Sequence, residues 1–287
     1  MSVQHPSTYK DVQVWELSDS FWERIKPLLP KPKSRYRGKG KRRKNVGGRP
    51  PAEPRRVMAG ILYVLRTGCQ WKAVPREYGS SSVIHRYFQQ WTMAKVFRRM
   101  RQSGLMEYDE LKGLQWKWQS VDGATTKAPL GGAGTGRNPT DRGKSGTKRS
   151  LLVEGKGIPL AIEVGPSSRH DAKMLAATLD AVVIERPEPT DKQEQNLCLD
   201  KAYSGEPSKV VVEERCYLIH VPDKANAKEK RKRRSGRRKA RRWVVEVTHS
   251  WLNRFRRLLV RWEKKRANYL SLLYFACAII CWRKCEL

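Results

Sequence analysis

The sequence predicts an α/β chain in which an all-helical unit precedes a mixed sheet flanked by helices. Three observations predict it. Apolar residues recur at helical spacing through residues 55–101, as at Val57, Ile61, Leu62 and Leu65. After Leu111 the pattern turns to short strand-like runs bounded by glycine. Those runs then alternate with short helical stretches, and the chain closes on long helical segments.

The elements follow in order. Residues 18–29 form a first helix, because Ser18 can cap it and Phe21, Trp22, Ile25, Leu28 and Leu29 share one face. Pro27 and Pro30 end it. Residues 31–54 read as a basic linker, with four glycines, many Lys and Arg and no apolar periodicity. Its Gly48-Arg49-Pro50 is like the short element that lies in A·T-rich minor grooves, which makes Arg49 a candidate DNA contact; a plain flexible basic linker is the alternative.

Residues 55–110 read as a helical unit. Thr67-Gly68 ends its first helix, and residues 71–78 are expected to form a short second one. Gly79-Ser80-Ser81-Ser82 is a turn, and residues 83–91 a third helix. Val83, Tyr87, Phe88 and Trp91 should face inward; His85, Arg86, Gln89 and Gln90 should face outward. This is a helix-turn-helix plan, with Arg86, Gln89 and Gln90 of the types that read base edges. A generic three-helix bundle shares the spacing.

From residue 111 on, residues 115–121 alternate as a strand. Residues 131–146 form a loop, and residues 149–154 and 158–164 a hairpin around Gly155-Lys156-Gly157. Residues 171–185 should be a helix, 196–200 a strand, 208–214 a short helix and 216–221 the last strand. A second basic insertion spans residues 222–240. Residues 241–266 and 269–282 read as helical, with Trp243, Val244, Trp251, Phe255, Leu258, Leu259 and Trp262 as a buried stripe. The order βββαβαβα, with three early antiparallel strands, is the ribonuclease-H-like plan, so residues 111–287 read as one catalytic unit and residues 1–30 as a separate N-terminal helix.

Composition narrows the function. Sixty Lys and Arg against 28 Asp and Glu give a formal net charge of +32, which a polyanion would offset. Nucleic acid is the expected partner, against a merely solvated basic surface or a ribosome-type protein. With 39% hydrophobic residues and 10 Trp the chain can bury a core, which excludes a disordered basic tail. No CxxC pair occurs, and Cys277, Cys281 and Cys285 repeat every four residues along one helix face, so thiols read as packing rather than zinc or disulfide. Asp11, Glu16 and Asp19 interrupt any signal core, and the apolar run 269–282 is too short to span a bilayer. A cytoplasmic, nucleoid-associated protein without membrane contact is expected.

Three carboxylates then stand out. Asp122 closes the run Trp118-Gln119-Ser120-Val121, Asp200 closes Leu197-Cys198-Leu199, and Glu246 opens a late helix. In the ribonuclease-H-like plan the first strand lies beside the fourth, and the last helix reaches the same cleft. Carboxylates there can share hard divalent cations for phosphodiester chemistry. Taken singly, Asp122 could be a turn residue, Asp200 a partner of Lys201 and Glu246 a helical partner of Arg242.

These motifs resemble the DDE transposases of bacterial insertion sequences over nearly the whole chain. The matching segments are Ser120-Val121-Asp122-Gly123-Ala124-Thr125, Gly136-Arg137-Asn138-Pro139-Thr140-Asp141-Arg142-Gly143-Lys144 and Lys148-Arg149-Ser150-Leu151-Leu152-Val153. They continue through Ser168-Arg169-His170-Asp171, residues 196–203, and the block from Arg242-Trp243-Val244-Val245-Glu246 to Arg257. The resemblance implies that Asp122, Asp200 and Glu246 are the catalytic and metal-binding triad, holding two Mg²⁺ or Mn²⁺ ions per site. It implies a transposase that binds terminal inverted repeats, cleaves at element ends and joins the 3′-OH ends to target DNA, as a homodimer when DNA is bound. Arg242 matches the family's helix signature. Val247 and Asn253 stand where relatives carry basic residues. The further DNA contacts expected are Arg137, Lys144, Lys148, Tyr203, Arg242, His249, Asn253, Arg254 and Arg257, with His249, Asn253 and Arg257 on the cleft face of the last helix. Asp171 is expected to cap the helix after it. A transposase-derived DNA-binding protein without catalysis, or a nuclease without strand transfer, are the alternatives.

Overall fold

The computed structural model describes residues 17–31, 36–37, 44–45, 50–222 and 242–286. Arg49 and nearly all of the basic insertion lie outside those residues.

Helix α1 (Asp19–Ile25) starts where Ser18 Oγ accepts the Phe21 amide at 3.2 Å, and Lys26–Leu28 adds a 3₁₀ turn. Strands β1 (Tyr36–Arg37) and β2 (Lys44–Asn45) form a small antiparallel pair. Helix α2 (Pro54–Thr67) buries Val57, Ile61, Leu62 and Leu65 and stops at Gly68, whose left-handed φ of 73° closes the helix. Residues 71–78 are not a helix: Pro75 splits them into the 3₁₀ turns Trp71–Ala73 and Arg76–Tyr78. Helix α3 (Ser81–Met93) buries Ile84, Phe88, Trp91 and Thr92. Its expected inward residues Val83 and Tyr87 are only half-buried, and His85 lies against Trp71, ring centroids 4.9 Å apart. Lys95 in a left-handed conformation turns the chain into α4 (Val96–Lys112).

The sheet has six strands: β3 (Trp118–Lys127), β4 (Gly136–Arg137), β5 (Ser145–Glu154), β6 (Pro159–Pro166), β7 (Asn196–Cys198) and β8 (Leu218–His220). β5 pairs antiparallel with both β3 and β6, β4 extends the β6 edge, and β7 and β8 run parallel to β3. With β4 set aside, spatial order reads β6-β5-β3-β7-β8. The antiparallel hairpin strands lie on one side of β3 and the parallel crossover strands on the other. This is the ribonuclease-H-like arrangement expected from the element order. The crossovers are α5 (Ala172–Leu179) and α6 (Glu206–Glu213), and α7 (Trp243–Asn253) and α8 (Arg266–Glu286) follow.

Two layers of apolar residues explain why β5 is buried along its length and carries three successive apolar residues, Leu151, Leu152 and Val153. Leu151 and Val153 face the layer holding α2, α3, α7 and α8, while Leu152 faces the layer holding α5 and α6. A sheet covered on both faces loses the polar alternation of a half-exposed one. Gly104 lets α4 approach α8 closely, since a β-carbon there would sit 3.2 Å from Cys281 Cβ. Cys277, Cys281 and Cys285 are buried on that helix, and burial pushes their thiols up, that of Cys277 to about 12.

Two helices are shorter than their periodicity suggests. α5 ends at Leu179 rather than near residue 185. Val182, Val183 and Ile184 are β-branched and poor helix formers, and Arg101 Nη2 takes the Ala181 carbonyl at 2.7 Å. α7 stops at Asn253; a 3₁₀ turn at Arg256–Leu258 follows, and Val260 then bridges β3 at Lys127, with the Arg261 amide donating to the Lys127 carbonyl at 2.8 Å. Three members of the expected stripe are exposed, at 63%, 48% and 42%: Trp243 in the first turn of α7, and Leu259 and Trp262 beyond the point where the helix breaks. Val244, Phe255 and Leu258 are buried as expected. α8 in turn begins earlier and ends later than residues 269–282. Among the described residues no helix is long and apolar enough to cross a membrane.

Candidate active site

The pairing of β3 with β7 places the first two carboxylates. Ser120 lies opposite Cys198 in a parallel register, so Asp122, still on β3, and Asp200, past the end of β7, each stand two residues beyond that last pair. Asp122 sits in mid-strand, half-buried, opposite Leu151 and thus on the α7 face of the sheet. Burial pushes its carboxyl up; the Gly123 amide and Arg242 pull it back, and Asp200 and Asp171 push it further up. The expected strand 196–200 ends at Cys198, and Asp200 instead caps the 3₁₀ turn Lys201–Tyr203, its Oδ1 accepting the Lys201 amide at 2.6 Å.

The third carboxylate arrives through an arginine. α7 begins at Trp243, and Glu246 lies exposed in its first turn. Arg242, just before the helix, donates Nη1 to Asp200 Oδ1 and Nη2 to Glu246 Oε1 at 3.0 Å. One guanidinium therefore bridges the end of β7 and the start of α7, and Asp122 contributes to its field. Among the described residues no three His, Cys, Asp or Glu side chains stand together closely enough to enclose an ion. The donor set is nonetheless all oxygen, which suits hard cations, and Arg242 is already a positive group held between two of the three carboxylates.

Behind Asp122, on the other face, lies an arrangement that sequence reasoning missed. Asp171 does not cap α5; its Oδ2 accepts Lys148 Nζ at 2.8 Å instead. Lys148 also donates to the Arg169 carbonyl at 2.9 Å. Asp171 Oδ1 lies where a β-carbon on Gly123 would be 2.1 Å away. The motifs around residues 123, 148 and 171 thus meet at one point, behind the strand that carries Asp122. Tyr203 is buried beside them, its hydroxyl in the field of Asp171, Asp122 and Asp200, and burial pushes that hydroxyl up. The sequence motif Ser168-Arg169-His170-Asp171 marks the place, but the partner of Asp171 on β5 is not readable from it.

The expected DNA contacts separate into two groups. Arg86, Gln90, Arg137, Lys144 and Arg254 are exposed, and Gln89 is half-buried against His85 at 3.4 Å. Lys148, Tyr203, His249 and Arg257 are buried. Arg257 forms an ion pair with Glu263 at 2.7 Å and donates to the Cys69 carbonyl at 2.9 Å, tying the segment after α7 to the end of α2. Asn253, expected to face a phosphate, accepts Arg149 Nη2 at 2.6 Å. A buried arginine on β5 thus reaches across to this position of α7. A lysine at 253 would set two cations against each other, so Asn253→Lys should not tighten DNA binding.

His249 is buried between α7 and the sheet beside the Asp122 backbone and Arg149. Burial and then Arg149 lower its pKa to about 3. The unfolded chain takes up this proton near pH 6.5 while the folded chain refuses it until about pH 3. The stabilisation from a neutral His249 is thus fully present above pH 6.5 and is lost as pH falls towards 3. His249→Gln should flatten this part of the stability-versus-pH curve, measured by urea unfolding of metal-free protein. An unchanged slope between pH 6.5 and 4 would place the lost protons elsewhere.

Comparison with known proteins bears on the family of the chain. The family profile described as "Putative transposase of IS4/5 family" matches residues 17–101, and that described as "Transposase DDE domain" matches residues 118–281. The chain is similar to a "Putative transposase for insertion sequence element IS402" from Burkholderia cepacia, 32% identical over 157 residues, 52% of this chain and 68% of the relative. It is also similar to the "Insertion element IS402 uncharacterized 16.2 kDa protein" of the same organism, 33% identical over 125 residues, 43% of this chain and 80% of the relative. Among solved structures, the Mos1 transposase catalytic domain with raltegravir and Mn overlaps it loosely, with 12% identity, a TM-score of 0.28, 66% of this chain and 92% of that one.

Proposed function

Because the chain belongs to the DDE transposases of the IS4/5 family, we propose that it binds the terminal inverted repeats of an insertion sequence, cleaves at their ends and joins the freed 3′-OH ends to target DNA. The observation that carries this reading is the neighbouring placement of Asp122 and Asp200, tied to Glu246 through Arg242. Asp122 and Asp200 would flank both divalent ions, Mg²⁺ or Mn²⁺, and Glu246 would hold the second. Such ions activate water or the 3′-OH and stabilise the leaving oxygen. The chain's own part is to fix three oxygen donors on a strand, on the turn after a second strand and on a helix. Its buried Lys148–Asp171 pair keeps β3 in place behind Asp122. Two element ends require two active sites, which calls for a dimer on DNA.

The test is direct. DNA carrying the inverted repeats that flank the gene should be cut at the repeat ends by purified protein with Mg²⁺ or Mn²⁺, and not with EDTA. Cutting without regard to the repeats would reduce the reading to that of a nuclease.

DNA binding divides between two kinds of element. The side chains of α3, exposed Arg86 and Gln90 with Gln89 beside them, would read bases, and the Lys and Arg of the basic sequence segments around residues 31–49 and 223–241 would neutralise phosphates. Deleting residues 31–44 should weaken binding to any duplex and flatten its salt dependence, with little change in preference for the cognate end. Substituting Arg86, Gln89 and Gln90 should do the reverse. Titrations of cognate and random duplexes at several salt concentrations separate the two. Sequence preference that vanishes with the deletion and survives the helix substitutions would move recognition to the basic arm.

A further inference from the structure

Two observations sit together at the carboxylates. The guanidinium of Arg242 spans Asp200 and Glu246 with three N–H donors, Nη1 to the first, and Nη2 at 3.0 Å and Nε at 3.3 Å to the second. Yet among the described residues no three acidic groups stand close enough to enclose an ion. A divalent cation and a guanidinium want the same oxygens. They cannot share them, since like charges a few ångströms apart repel strongly in a half-buried site. Arg242 is one-third exposed and lies at the very start of α7, where the chain enters from the basic insertion, so its side chain has room to leave.

We propose that Arg242 is a built-in surrogate cation that holds the metal-free site together and is exchanged for the metal. This rests on the reading of Asp122, Asp200 and Glu246 as metal ligands. In the metal-free protein the arginine offsets the charge of Asp200 and Glu246, and it fixes the first turn of α7 against the end of β7. Binding of an ion draws the carboxylates around it and releases the guanidinium. The affinity measured for the metal is then the intrinsic affinity reduced by the ion pairs that must be broken. Arg242 is on this account a positioning residue whose removal tightens metal binding, the opposite of what removal of a ligand does.

Isothermal titration of the full chain with Mn²⁺, without DNA, tests this. Arg242→Gln should bind Mn²⁺ about tenfold more tightly than the native chain, the scale expected for a two-armed, partly exposed ion pair. Arg242→Lys keeps the charge without the fork and should fall between the two; it carries the test if the glutamine variant does not fold, which circular dichroism will reveal. Unchanged or weaker Mn²⁺ binding in a folded variant overturns the exchange. Asp200→Asn and Glu246→Gln serve as the control for the underlying reading. If native Mn²⁺ affinity survives both, the ion binds elsewhere and the metal-ligand assignment itself falls, whatever Arg242 does.

Discussion

Asp122→Asn, Asp200→Asn and Glu246→Gln should each reduce metal-dependent cleavage by at least about a thousandfold while leaving affinity for DNA ends nearly unchanged, the scale expected when a donor to the reacting centre is removed. Each substitution keeps the shape of the side chain and deletes the charge. Asp122 stands in mid-strand between Val121 and Gly123, on a backbone paired along its length with β5, so the strand itself should not move. Asp200→Asn and Glu246→Gln each leave Arg242 with one carboxylate in place of two. Both should therefore also lower the melting temperature of metal-free protein slightly, whereas Asp122→Asn, at a group whose carboxyl is already pushed up by burial, should not. Gel-shift affinity, cleavage with Mn²⁺ and thermal unfolding read the three effects separately. A variant that cleaves at the native rate is not a ligand.

The sheet and its carboxylates were legible because they rest on local signals. Apolar runs ending in Asp, a Gly-Lys-Gly hairpin and alternating helices determine strand order once crossovers are required to be right-handed. What could not be read is where long polar side chains end up. Lys148 looked like a phosphate contact, and the strand pattern gave no hint that Asp171 would reach across to it. Arg257 lies on a basic helix-like stretch, but α7 breaks at Asn253 and the arginine turns inward to Glu263. His249 and Tyr203 are of types that serve equally in cores and in sites, and only burial separates the two uses. The helical stripe failed at Leu259 and Trp262 because periodicity assumes that the helix continues, and the bridge of Val260 to Lys127 stops it; Trp243 opens α7 and is exposed on its first turn.

Gly123→Ala should be among the most damaging single changes in the chain, although it adds one methyl group. Gly123 needs no unusual backbone angle; it is glycine because Asp171 Oδ1 approaches to 2.1 Å from the position of the missing β-carbon. Asp171 cannot simply turn away, since Lys148 Nζ holds its other oxygen at 2.8 Å and the pair is mostly buried, 11% and 21% exposed. Overpacking at such a site should cost about 2–3 kcal/mol and displace the strand segment that carries Asp122. Asp171→Ala alone should cost a similar ~2–3 kcal/mol, because it leaves a largely buried ammonium with only the Arg169 carbonyl. The two changes should not add. With Asp171 shortened the new methyl group has room, so the double variant Gly123→Ala/Asp171→Ala should be about as stable as Asp171→Ala, a coupling of about 2 kcal/mol. Urea unfolding of the four proteins measures that coupling. The same four proteins, assayed for cleavage, separate the strand from the charge: Gly123→Ala should lose activity through displacement of Asp122, and the double variant should recover part of it. Strictly additive stabilities would mean that Gly123 is required for some reason other than the carboxylate packed against it.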